Sequence, residues 1–214
     1  KVEENHFGVR KRLIEYDDVM NAQREVIYKK RRHALFGERL SIDIANTIRD
    51  VSESIVNDTH ESSNYAQFEI DTIRMFGMEP TVSEGEFMKQ KPDQIAAGLY
   101  EAALTGYEEK SARVAQSAFP VIKDVYENQS ATYENIVTPL TDGIRTLQTV
   151  VNLKRAYETE GRELVLNFEK GTVLAMIDDA WKEHLREMDD LKTSVQNAVY
   201  EQKDPLLIYK FEAF

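Results

Sequence analysis

From Leu174 to Val195 the apolar residues Leu174, Ile177, Trp181, Leu185, Met188, Leu191 and Val195 recur at three- and four-residue steps. Only an α-helix gathers such a series onto one face. Lys182, Glu183, Arg186, Glu187, Asp190 and Lys192 fill the opposite side. The stripe stops at Gln196–Lys203, and Asp204-Pro205 then supplies an N-cap and a first-turn proline for a new helix. Leu206, Leu207, Tyr209 and Phe211 form the apolar side of that return limb. Two helices joined by so short a turn should lie antiparallel, with Tyr200 at or beside the tip. Trp181, Leu185, Met188 and Leu191 are then the residues that pack the hairpin against the rest of the chain, Trp181 against the long N-terminal helix, where full burial would make Trp181→Ala cost about 3–5 kcal/mol.

A second committed face lies near the other end. Leu13, Met20, Ile27 and Ala34 repeat at seven residues, and Tyr16, Val19, Gln23 and Val26 widen the stripe. Heptad spacing marks a face for other helices. Residues 1–8 read as a loop or strand remnant, with the helix starting at Val9. Phe36-Gly37 interrupts it, and Leu40, Ile44, Ile48, Val51 and Ile55 resume the period. The prediction is helices over 9–36 and 40–62, or one helix broken near Gly37. Further on, 65–76 is a short helix, Pro92-Asp93 starts a longer one, and Phe119-Pro120 should break it. Around Asp142-Gly143, a hairpin-turn pair, β-branched residues alternate and favour a small β-hairpin near 136–151. Pro139 restricts its first strand to an edge. The competing reading makes Thr138-Pro139 a helix start.

Charge and motif content narrow the function. The net charge is −11, divided into +3 over residues 1–36 and −14 over the remainder, which argues against nucleic acid as a partner. The basic run Lys29-Lys30-Arg31-Arg32 reads as a solvated helical turn or as a contact with an acidic neighbour or anionic lipid. With no cysteine there is no disulfide and no thiolate site. None of the nine glycines builds a phosphate-binding loop. Glu3 and His6 alone have di-iron spacing. The adjacent carboxylates Asp17-Asp18, Asp178-Asp179 and Asp189-Asp190 diverge on a helix and are poor acid/base pairs. The expectation is a fragment with no catalytic residue, metal or cofactor of its own. Lys1 in place of methionine, and an ending inside the amphipathic Leu206–Phe214 segment, point to a piece of a longer chain.

WKEHLREMDDLK with YEQKDPL and YKFEAF, and the block Arg10–Tyr28, resemble the SecA family of protein-export motor ATPases. The resemblance implies a mainly α fold: long scaffold helices, an antiparallel two-helix finger and an inserted helical wing. Its domains would be 1–56 for the first scaffold helix, 57–161 for the wing and 162–214 for the finger. It further implies that ATP and Mg belong to nucleotide-binding domains of the parent, and that unfolded preproteins and the SecY channel are partners. A homodimer and anionic lipids are further implied partners, and the implied location is the cytoplasmic face of the bacterial inner membrane. Glu15, Tyr16, Asp17, Asp18, Asn21 and Arg24 would couple to the nucleotide-binding domains, and Val199, Tyr200 and Gln202 would touch the polypeptide. Ala198-Val199 stands where many relatives carry Arg-Gly, so the tip should be stiffer. The alternative is a stand-alone helical adaptor without a motor.

Overall fold

Glycine and proline punctuate the chain less strictly than their chemistry suggests. The computed structural model describes residues 2–37, 39–141, 143, 146–195 and 204–213. In order, these form α1 (Val2–Phe36), α2 (Leu40–His60), α3 (Tyr65–Phe76), α4 (Glu84–Phe87), α5 (Pro92–Gln129), β1 (Asn135–Thr141), β2 (Thr146–Asn152), α6 (Leu153–Glu158), α7 (Arg162–Ser194) and α8 (Pro205–Glu212). They divide into two compact units, one of Lys1–Glu38 with Lys170–Phe214, the other of Arg39–Glu169.

Two expectations are corrected. The opening residues are helical from Val2, not a loop; the segment holds no proline, and Gly8, its one poor helix former, stands in open space. Helix α5 runs through Pro120 instead of breaking there. An interior proline loses a helical hydrogen bond and costs about 3 kcal/mol. Burial next to it offsets that cost: Ile122 is 4% exposed, and Ala118, Val125 and Tyr126 pack into the same cluster. Gly37 does separate α1 from α2, at φ +71°.

The Arg39–Glu169 unit has two cores. In the first, Phe68, Phe87, Leu99, Val56 and Ile95 are buried between α2, α3, α4 and the start of α5. Local chemistry sets the short elements around it. The Asn64 side chain caps α3 by accepting from the Gln67 amide at 3.1 Å. Ser83 and Glu86 form a reciprocal cap on α4. The Tyr65 hydroxyl donates to the Val82 carbonyl at 2.9 Å, tying the segment before α4 to α3.

The second core joins Ile122 of α5, Val151 of β2, Leu153 and Ala156 of α6 and Leu164 of α7. Above it β1 and β2 pair antiparallel, Pro139 opposite Gln148. The hairpin expectation therefore holds, and the helix-start alternative at Thr138 fails. Gly161 turns the chain from α6 into α7 at φ +87°, where a Cβ would lie 2.6 Å from the Ala115 carbonyl oxygen. Gly161→Ala is therefore expected to cost about 1–3 kcal/mol, measured as lost hydrogen-exchange protection in α5 and α6.

Candidate functional site

The Lys1–Glu38 and Lys170–Phe214 unit contains the residues singled out for coupling and packing. Its core is Val19 of α1, Met188 and Val195 on the α7 side, and Tyr209 and Ala213 of the return limb, with Tyr16, Met20, Leu191 and Ile208 around them. Helix α8 starts as the sequence requires: Pro205 occupies the first turn and the Asp204 carboxylate accepts from the Leu206 amide at 3.0 Å. That orientation sends Tyr209 onto α1, where its ring meets Tyr16 edge-on with centroids 4.8 Å apart. Burial, then the carboxylate of Asp189, raises the Tyr209 pKa above its usual value. Burial, then Asp204, does the same to Tyr16, whose ring also faces the Lys192 ammonium at 5.6 Å.

One amide joins all three helices. Gln23 Nε2 donates to the Ala213 carbonyl at 2.6 Å, which leaves Gln23 Oε1 facing His184 Nε2 at 2.9 Å. An amide oxygen only accepts, so His184 carries a proton on Nε2. Further along, Arg31 forks onto Asp178, Nε to Oδ1 at 2.8 Å and Nη2 to Oδ2 at 3.2 Å. The guanidinium holds the Asp178 carboxyl below its usual range. Arg31 of the basic run thus finds its acidic neighbour within the chain. Asp179 pairs with Lys182 at the surface instead.

The other named residues separate by exposure. On α1, Glu15 and Tyr16 are half-buried, whereas Asp17, Asp18, Asn21 and Arg24 are exposed, Arg24 donating to Asn21 Oδ1 at 3.3 Å. On α7, Met188 is buried and Leu185 and Leu191 are half-buried. Trp181 is half-buried rather than fully buried. It stacks on His184, centroids 5.5 Å apart, and lines an open apolar groove of about 640 Å³ with Ala22, Val26 and Ile27 of α1 and Ile177 and Ala180 of α7. Trp181 therefore faces α1 as expected, and it stays half-buried because no described residue closes the outer side of that groove. Trp181→Ala is accordingly expected to cost about 1–2 kcal/mol, less than a core aromatic, as read by denaturant unfolding. Val199, Tyr200 and Gln202 lie outside the described residues.

Sequence reading missed the three-way role of Gln23 and the Arg31–Asp178 pair. Gln23 gave a faint signal as a polar residue on an apolar stripe. Arg31 and Asp178 are far apart in sequence and gave none.

A long strut helix holding a helical return limb, joined to a separately cored helical unit with a β-hairpin, is a scaffold built for packing. The chain belongs to the SecA family: the family profile described as SecA Wing and Scaffold domain matches residues 1–214. Among curated relatives, each named Protein translocase subunit SecA, that of Christiangramia forsetii is 59% identical over 214 residues. Those of Parabacteroides distasonis and Flavobacterium psychrophilum are 55% and 54% identical. In each case the match covers 100% of this chain and 19% of the relative. No solved structure matches. Among the described residues no helix is long and apolar enough to cross a membrane.

Proposed function

We propose that this chain is the wing and scaffold part of an ATP-driven protein-export motor, whose work is mechanical transmission and not chemistry. The match to translocase relatives along the whole chain carries this reading. ATP and Mg would be held by nucleotide-binding domains elsewhere in the parent. Gly161, the glycine before α7, lies against the Ala115 carbonyl, which supports placing the nucleotide elsewhere and not at that helix start.

In this reading α1 has two working faces. Val19, Tyr16 and Gln23 hold the finger limb, while the exposed Asp17, Asp18, Asn21 and Arg24 are free to meet the nucleotide-binding domains. The partners are an unfolded preprotein and the SecY channel at the cytoplasmic face of the inner membrane. Anionic lipid at Lys29, Lys30 and Arg32 and a homodimer belong to the same reading. Helix α8 meets α1 at Tyr16 through Tyr209, and the Ala213 carbonyl that follows it meets α1 at Gln23.

Tyr200 would touch the travelling polypeptide, since an aromatic ring grips varied side chains without sequence preference. The test is import of an unfolded secretory precursor into membrane vesicles by the full-length parent. Wild type should import with ATP, and Tyr200→Ala should impair import while basal ATP hydrolysis continues. Tyr200→Phe, which keeps the ring, should retain most import. Import by Tyr200→Ala at the wild-type rate would remove the tip contact, and a parent that hydrolyses ATP yet imports nothing would remove the export reading.

A further inference from the structure

The two strands of the hairpin present edges of unlike chemistry. The Leu153 amide donates to the Glu134 carbonyl at 2.9 Å, and the same register pairs Ile136 with Val151 and Thr138 with Thr149. In an antiparallel ladder hydrogen-bonded and non-hydrogen-bonded pairs alternate. Val137 and Pro139 on β1, and Gln148 and Val150 on β2, therefore direct their main-chain groups away from the partner strand. Pro139 sits where its missing N–H costs no ladder bond and blunts the β1 edge.

Nothing comparable protects β2. Thr146–Asn152 contains neither proline nor charge, and Gln148 and Val150 are exposed. Among the described residues no hydrogen bond outside the ladder reaches their main chain. The sheet is anchored from its other face, where Thr149 and Val151 are 6% and 1% exposed. On the open face Val137 and Val150 stand opposite one another, 61% and 63% exposed. They form an apolar step beside the open edge.

We propose that the free edge of β2 is a strand-addition site for a segment of unfolded polypeptide. The segment pairs with the outward N–H and C=O groups of Gln148 and Val150 and rests an apolar side chain beside Val150. Main-chain pairing supplies affinity without reading sequence. A net charge of −11 opposes a second copy of the chain at this edge and favours a neutral or basic segment. The choice of occupant rests on the reading of the chain as part of a polypeptide-moving motor.

The probe is a short peptide of alternating threonine and valine with lysines at both ends. Its control carries proline at consecutive positions, which strips donors from both edges, and cannot pair. The 214-residue chain should bind the first peptide by calorimetry and not the second, and binding should slow amide exchange at Gln148 and Val150. Gln148→Pro and Val150→Pro each remove one outward donor and spare the ladder. Each should weaken binding about tenfold or more, with exchange protection in α5 and α6 unchanged. If one variant loses the hairpin, the other decides. Equal affinity for the proline control, or unchanged affinity in the variants that keep the hairpin, would overturn the proposal. So would concentration-dependent dimerisation of the chain without peptide binding, which assigns the edge to a second copy. Loss of the peptide effect leaves import by the wild-type parent untouched, whereas failed import by that parent leaves peptide affinity untouched.

Discussion

Tyr209→Ala is expected to detach α8 from α1 and to cost about 3–5 kcal/mol, the usual range for emptying a buried aromatic position. The ring is 1% exposed and sits among Val19, Met188, Val195 and Ala213. Its edge-on contact with Tyr16 adds about 0.5–1.5 kcal/mol beyond area alone. Helix α8 is only 8 residues long, too short to persist without packing, so the loss should appear as its complete unprotection in hydrogen exchange. Tyr209→Phe keeps the ring and should stay within about 1 kcal/mol of wild type. A protected α8 in Tyr209→Ala would show that the limb is held by something other than this contact.

Phe68→Ala should be as costly, about 3–5 kcal/mol, but in the other unit. Phe68 is 0% exposed and packs against Phe87 with centroids 4.8 Å apart and against Tyr65 at 5.9 Å. No residue of its cluster belongs to the cluster around Tyr209. Exchange protection should therefore fall in α2, α3 and the start of α5, and stay near wild type around Tyr209. The two variants together test for separate cores. Loss of protection everywhere from either substitution would show one cooperative unit.

Elements made by short-range periodicity were legible in the sequence. The stripes of α1, α2 and α7 and the Asp204-Pro205 start of α8 appear where spacing and capping place them. The β-hairpin followed from Asp142-Gly143 and alternation. Two failures share one cause. The loop expected before Val9 and the break expected at Pro120 were both inferred from local signals, and in α5 burial of Ile122 beside the proline outweighs the lost hydrogen bond. For Trp181 the stripe gave the direction it faces, towards α1, but not whether anything closes over it. The candidate site was legible in part. Tyr16, Met188 and Leu191 could be placed by periodicity, whereas Gln23 bridging His184 and Ala213 depends on three helices meeting, which no window of sequence contains.

In the proposed function, α8 seated on α1 would transmit the parent motor's motion to the polypeptide. The most direct test is precursor import and basal ATP hydrolysis read together in the full-length parent carrying Tyr209→Ala, with hydrogen exchange confirming that α8 is released. The account predicts that hydrolysis persists and import falls to a small fraction of wild type. Import at the wild-type rate with α8 demonstrably released would contradict it.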